Sequence, residues 1–450
     1  MHRINVILFL LMLAGGLSSF FLIPPKEISE DEKRRLATFP NLTWQGYING
    51  SWADSVDLYI NDHFPARDKC VEFADWLKYQ KGLHFKDQEK IFVSQKKSKK
   101  ENEAFDEEGM PLDTNMNFLD DFEEAYSGSM LILDGSVFPL NGGSPKMGRV
   151  FAKMVSQYAA NLGPKTRVFS CVAPLSSAFI PAEKYKHYNG KNRATLQAIG
   201  NSLTNGAIFS DVLGEMNNHV NEKMFFSTDH HWNAKGAYYA YVAFCKSAGF
   251  QPVPLENMDR RVKYKFLGSL YQHTRDPSVR NNPDTMEYFI PRVKTSAIRY
   301  GKTGYKGSKS QVFCNSCSGG NTYSTFLCGD IPLIKITTGV KNGRKACVIK
   351  NSMGNAFTVY LVSHYEEIWV MDFRYAYQNL TDLMVTNEVD DLIFAVGMYA
   401  AMSNGTINRI RNLATQKGPP APKPVKQNPT DTILPKEILV QPLIEDTLKQ

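Results

Sequence analysis

Hydrophobic and polar positions change their period several times along the chain, and each change marks an element. The first is an uncharged, largely apolar run from Ile4 to Ile23, preceded by His2-Arg3 and closed by Pro24-Pro25. It approaches the ~20 residues that cross a bilayer, and no small-x-small cleavage site precedes Lys26. The run is therefore expected to stay as a membrane anchor with the rest of the chain exported. A strict positive-inside count argues against that orientation, since Lys26, Lys33, Arg34 and Arg35 follow the run. Helix-like spacing of Trp52, Val56, Leu58, Tyr59 and Ile60 precedes the turn His63-Phe64-Pro65, and Val71 to Tyr79 follows Arg67-Asp68. These stretches predict two amphipathic helices that pack on the main domain, in an arm over residues 26–85. Over 95–126 lysines run into Glu101, Glu103, Asp106, Glu107 and Glu108 without apolar periodicity, which reads as a solvated insertion loop.

From Ser127 the grammar becomes an alternation of strands and helices. Met130–Leu133 is apolar, Met147–Leu162 has helical spacing, and Arg167–Ala173 is a β-rich run that ends at Pro174. The same order recurs as a strand over Ala346–Ile349, a helix over Ala356–Val362 and a strand over Ile368–Met371. Such alternation predicts an α/β domain with a mostly parallel central sheet, here a single domain over residues 26–415. A right-handed crossover would put the turn after Ile349 at the carboxyl end of that sheet, where such folds bind ligands. Residues 416–450 are rich in Pro, Lys and Thr, show neither period, and read as an extended tail.

Composition adds two exclusions. The chain has 450 residues, 43% hydrophobic and 22% charged, enough to bury a large core. Its formal net charge is +7, but the basic residues are interleaved with acids, so no nucleic-acid partner is expected. Of the seven cysteines, at least one must stay unpaired within the chain. Cys314-x-x-Cys317 is compatible with a redox pair or half a zinc site, yet no second pair stands at zinc spacing. Free thiols or a local disulfide with Cys328 are expected there, and neither a metal nor a cofactor.

Chemistry concentrates in two short segments. In Thr228-Asp229-His230-His231-Trp232 a carboxylate sits beside two imidazoles ahead of the aromatic stretch Tyr238-Tyr239-Ala240-Tyr241. An imidazole can take a nucleophile's proton while a carboxylate fixes its tautomer and stabilises the imidazolium. The same residues could instead cap a helix, bond within the core or bind a metal. The second segment is Lys350-Asn351-Ser352-Met353-Gly354-Asn355, between an apolar strand and an apolar helix. A serine there stands at the sheet's carboxyl edge beside the N–H groups that open a helix, as a nucleophile with an oxyanion site requires. Ser352 could equally be an ordinary helix N-cap.

At these residues the chain resembles the DHHW proteins, which are similar to the alginate O-acetyltransferases of the AlgX/AlgJ type. Further agreement lies in Tyr59-Ile60-Asn61-Asp62-His63-Phe64-Pro65-Ala66-Arg67-Asp68, Phe266-Leu267-Gly268-Ser269-Leu270-Tyr271 and Val370-Met371-Asp372-Phe373-Arg374-Tyr375. The resemblance spans roughly residues 30–410. It implies an SGNH-hydrolase-like three-layer fold in which Ser352 is the nucleophile, His231 before Trp232 the base, Asp229 the orienting acid and His230 a neighbour. Met353 and Asn355 are then candidate oxyanion donors, Trp232 is a candidate substrate-binding residue, and Arg374 either holds an anionic substrate or the oxyanion, or is a structural ion-pair partner. The turn departs from the Gly-Asp-Ser usual in SGNH relatives by reading Lys350-Asn351-Ser352. What the resemblance implies is an exported O-acetyltransferase on the periplasmic side of the inner membrane. Its acceptor would be an exopolysaccharide or cell-surface polysaccharide, and an integral-membrane acyltransferase would supply the acetyl group. A carbohydrate esterase or deacetylase with the same triad, or a non-catalytic carbohydrate-binding or assembly protein, are the rival expectations.

Overall fold

The computed structural model describes residues 36–65, 67–80, 89–93, 129–141, 143–301 and 306–417, with a few isolated positions before residue 36. The expected anchor over 4–23, the insertion loop over 95–126 and the tail from 416 lie wholly or almost wholly outside the described residues. Among the described residues no helix is long and apolar enough to cross a membrane.

Eight strands form the central sheet: β1 (Arg167–Ala173), β2 (Ile208–Phe209), β3 (Thr295–Tyr300), β4 (Gly307–Ser310), β5 (Leu333–Thr338), β6 (Lys345–Lys350), β7 (Glu367–Asp372) and β8 (Asp391–Gly397). Their order is β4-β3-β5-β7-β6-β8-β1-β2. The half from β7 to β2 is parallel, as expected, and the half from β5 to β4 is antiparallel. The sheet is thus mixed rather than mostly parallel. Chain connectivity accounts for the outermost pair: the short link between β3 and β4 permits a hairpin, whereas a parallel pair needs a crossover of a dozen or more residues.

Both faces of the parallel half are buried, and the period-2 alternation of its strands assigns each residue to a face. Ala346, Val348, Ile368, Val370, Ile393 and Ala395 belong to one apolar cluster, together with residues of helices α2 (Ala234–Ala248) and α3 (Met353–Leu361). Cys347, Ile349, Trp369, Met371, Leu392 and Phe394 belong to the other, with residues of helix α1 (Pro145–Leu162). At roughly 1.5–3 kcal/mol for each fully buried large apolar side chain, these two clusters are the main favourable term. Helix α1 begins where Ser144 accepts from the Met147 N–H and a proline takes the first turn, the arrangement that satisfies the otherwise orphan amides.

Strand Ser129–Leu133 forms as the sequence suggests, but not in the central sheet. It pairs antiparallel with Glu89–Val93 and Ser136–Pro139 in a sheet of its own. A hairpin of Met258–Phe266 and Asp284–Pro291 stands apart as well. Both additions matter for the site, because each reaches the segment that carries Asp229. The arm helices form over Ser51–Asp62 and Arg67–Gln80. Their apolar residues Leu58, Ile60 and Phe73 stay exposed, whereas Asp62 is buried and accepts from the Ala37 N–H at 2.7 Å.

Candidate active site

The segment from Phe225 to Trp232 is a tight loop closed by its own backbone. Phe225 and Trp232 form an antiparallel bridge, and the Asn233 N–H donates to the Met224 carbonyl at 2.9 Å. Two outside anchors set its orientation. Asp284, at the start of the hairpin's second strand, accepts from the N–H groups of Ser227 (2.9 Å) and Thr228 (2.8 Å) and from the Thr228 hydroxyl (2.8 Å). Ser136, in the small sheet, donates its hydroxyl to Ser227 at 2.8 Å. Asp229, His230 and His231 at the loop's tip are all buried.

Within the tip, Nδ1 of His231 lies 2.6 Å from Oδ1 of Asp229, and the same oxygen accepts from the His231 N–H at 3.0 Å. The second oxygen of Asp229 accepts from the N–H and hydroxyl of Ser269, at 3.0 and 3.2 Å. Burial pushes the Asp229 carboxyl up, but its interaction and hydrogen bonds with His231 outweigh it and hold the group well below the usual carboxylate range. Close packing completes the cradle: a Cβ on Gly268 would lie 2.3 Å from both Cβ and Oδ2 of Asp229, so only glycine fits. His230 lies beside this pair, with its ring centroid 3.7 Å from that of His231 and Nδ1 3.8 Å from Oδ1 of Asp229, but its Nδ1 hydrogen-bonds Ser269, 3.1 Å from Oγ. Burial and the neighbouring His231 push its pKa well below the ordinary histidine value, which keeps it neutral.

Asp229, His230 and His231 also bring three possible metal-ligand atoms within 4.8 Å of one another. Of these, Asp229 and His231 already face each other in a short hydrogen bond and His230 faces Ser269. The arrangement therefore fits an oriented imidazole rather than ligands converging on an ion.

Two contacts tie this tip to the serine turn. The Trp232 indole N–H donates to the Met353 carbonyl at 3.0 Å. Tyr323 donates its hydroxyl to the Ser352 carbonyl at 3.1 Å while its ring lies on that of His231. Ser352 follows β6 at the carboxyl end of the parallel half, in right-handed helical conformation, and its side chain makes no capping bond to α3. The ordinary N-cap reading of Ser352 is therefore not what the turn displays. Asn351 is spent elsewhere: its Oδ1 accepts from the Gly397 N–H at 3.2 Å, joining the turn to the end of β8.

Beneath the turn lies a buried charge cluster. Lys350, fully buried, donates to Asp330 at 3.0 Å and Asp372 at 2.7 Å. Arg374 reaches both oxygens of Asp372, through Nε at 2.8 Å and Nη2 at 2.7 Å, and pairs with Asp330 at 3.0 Å. Asn355 donates to the same Asp330 at 2.9 Å. Of the roles considered for Arg374, its Nε and Nη2 thus serve the structural ion pairs. Burial pushes Asp330 up, but the charges of Arg374 and Lys350 hold its carboxyl below the usual range.

Sequence reasoning missed three residues here. Ser269 was inside a stretch noted only for its resemblance, while Tyr323 and Asp330 carried no signal at all. The cysteine expectation needs correction too: Cys314 and Cys317 are bonded to each other, and Cys328 is free. The local turn brings their Cα atoms to 5.6 Å, a normal disulfide separation, and Lys263 holds the loop by donating to the Cys314 and Asn315 carbonyls at 3.2 and 3.1 Å.

The fold and site thus define a mixed α/β protein with a large mixed sheet and a buried Asp–His pair beside a serine turn. Residues 112–371 match the model of the DHHW protein family, and the chain belongs to that family. A DHHW family protein from Eubacterium siraeum is similar in structure, with 30% identity, a TM-score of 0.58, and coverage of 63% of this chain and 95% of that one. Bacillus cereus PatB1, solved with a sulfonyl adduct, shares the fold at 16% identity and a TM-score of 0.50, over 62% of this chain and 96% of its own. The O-acetyltransferase domain of Pseudomonas putida AlgJ also matches, at 13% identity and a TM-score of 0.32, over 63% of this chain and 96% of that domain. None of the curated proteins compared with the chain matches it.

Proposed function

We propose that this DHHW protein is a serine acyl-transfer enzyme of the SGNH type, an O-acetyltransferase acting on an exported or cell-surface polysaccharide. The observation that carries the reading is the 2.6 Å pairing of His231 Nδ1 with Asp229, on a loop whose next residue, Trp232, is bonded to the turn of Ser352. With Nδ1 turned to the carboxylate, Nε2 is the nitrogen that takes the serine proton. The Ser352 hydroxyl attacks the acetyl carbonyl of the donor and its proton passes to His231. The tetrahedral intermediate then expels the donor's oxygen, which leaves with that proton. A sugar hydroxyl, deprotonated by His231, attacks the acetyl-serine and restores the free enzyme.

The oxyanion donors in this reading are the N–H groups of Ser352 and Met353. Those of Gly354 and Asn355 already donate to the carbonyls of Asn351 (2.9 Å) and Ser352 (3.1 Å). The wider reading retains an exported chain held at the membrane through residues 4–23, on the periplasmic side, with an integral-membrane acyltransferase as acetyl source. Support for acyl transfer also comes from PatB1, whose structure holds a sulfonyl adduct.

The test is incubation of the protein with a chromogenic acetyl ester, with and without an oligosaccharide acceptor. Acetyl appearing on the oligosaccharide supports transfer. Release of acetate alone makes the protein an esterase, and absence of any Ser352-dependent turnover makes it a binding or assembly protein.

A further inference from the structure

The serine turn is held from outside itself. Its own Asn351 is committed to the end of β8, so the groups that fix Ser352 against the strand before it and the helix after it must come from elsewhere. Tyr323 and Trp232 hold the carbonyls of Ser352 and Met353, and the side chains of Lys350 and Asn355 on either side of the serine converge on one carboxylate. Asp330, buried in the link ahead of β5, binds Lys350 two residues before Ser352 and Asn355 three residues after it, at 3.0 and 2.9 Å. Its other oxygen holds Arg374 at 3.0 Å, just beyond β7. A residue gripped on both sides has little freedom to rotate, and nucleophile placement within about an ångström governs rate by up to ~10²-fold. Packing around the turn is close as well: a Cβ on Gly354 would meet Lys350 Cβ at 2.4 Å and the Ala395 carbonyl at 2.7 Å.

We propose that Asp330 is the positioning residue of the serine turn, clamping Ser352 through Lys350 and Asn355. The proposal rests on the acyl-transfer reading of Ser352. It differs from mere charge balance, in which Asp330 would matter only because two cations, Lys350 and Arg374, face two carboxylates, Asp330 and Asp372. Those roles separate when a cation is removed together with the acid. D330A removes the oxygen that both clamp donors share and leaves one uncompensated positive charge in the cluster, whereas D330A/K350Q restores neutrality without restoring the clamp.

The experiment measures 4-nitrophenyl acetate hydrolysis, sulfonyl fluoride labelling of Ser352 and thermal stability in the wild type, D330A and D330A/K350Q. D330A is expected to be less stable and to lose at least about tenfold in kcat with KM within about twofold. D330A/K350Q should regain stability but not kcat, and its labelling should stay slow. If D330A does not fold, the neutral double variant alone decides. Wild-type kcat in either variant overturns the clamp. A wild type that neither hydrolyses the ester nor labels at Ser352 overturns the acyl-transfer reading, and the clamp with it.

Discussion

The ring of Tyr323 lies flat on that of His231, with centroids 3.7 Å apart and planes 8° from parallel, and its hydroxyl reaches the Ser352 carbonyl. One buried side chain therefore touches both partners of the proposed proton transfer. Phenylalanine at this position would keep the stack and lose only the hydrogen bond, a contribution of about 0.5–1.5 kcal/mol. Tyr323→Phe is expected to reduce ester turnover by less than about tenfold with little change in melting temperature. Tyr323→Ala removes the stack as well and opens a cavity, which costs on the order of 3–5 kcal/mol. Its thermal unfolding should fall sharply, and equal behaviour of the two variants would show that the ring contributes nothing to the site.

Some of this was legible in the sequence, and the reasons are physical. Ala346–Ile349 announces a strand because both faces of β6 are buried and every position is apolar, and the Asp-His-His run announces chemistry because its groups are adjacent in the chain. Asp330 and Tyr323 act on residues 20 and 29 positions away, and Ser269 acts on Asp229 from 40 positions away. No periodicity encodes such contacts. The antiparallel half of the sheet was missed for a related reason: β3 is mostly polar and half exposed, so its residues carry little strand signal, and pairing direction depends on the length of the link to β4.

Gly268 offers a sharper test of the acid's placement. Any side chain there would drive into Asp229 at 2.3 Å, and Asp229 cannot step aside without leaving Ser269 or His231. Gly268→Ala is expected to lower kcat by about a hundredfold, the scale of a displacement near 1 Å, and to destabilise by roughly 1–3 kcal/mol through overpacking. Wild-type turnover in Gly268→Ala would mean that the Asp229 position is not critical.

Acid should weaken the fold below neutrality. Burial and the neighbouring His231 keep His230 neutral, and burial with nearby Arg344 brings His364 down to about 4. In the unfolded chain both titrate near ~6.5. A base whose folded pKa is lowered binds fewer protons when folded, so stability is full above about pH 6.5 and falls below it by ~1.4 kcal/mol per pH unit for each proton. Asp229 acts in another window: its contribution is complete above ~3.9 and is lost as pH falls from there through its depressed folded value. Denaturant midpoints should be flat from pH 8 to 7 and decline from 6.5 to 4, less steeply in His364→Gln. A constant midpoint over that range would contradict the neutral, buried histidines.

The disulfide gives a count that can be checked directly. With Cys314 and Cys317 joined and five thiols free, unreduced protein in denaturant should titrate five thiols, rising to seven after reduction. Seven before reduction would dismiss the bond. Stoichiometric zinc is not expected at a pair whose sulfurs are bonded to each other.

Whether Ser352, His231 and Asp229 act as a unit is a question of additivity. A serine hydroxyl is a weak nucleophile near neutral pH, so removing the base disables it nearly as fully as removing the hydroxyl itself. Ser352→Ala and His231→Ala should each abolish most ester turnover, and the double variant should cost little beyond either one. Independent contributions would instead multiply, and that result would break the triad apart. His230 supplies the internal control: it is buried, neutral and bonded to Ser269 rather than to the inner oxygen of Asp229, which in the acyl-transfer reading leaves it outside the proton path. His230→Ala should therefore reduce turnover less than His231→Ala. If the ranking reverses, with His230→Ala inactive and His231→Ala active, the base has been assigned to the wrong imidazole.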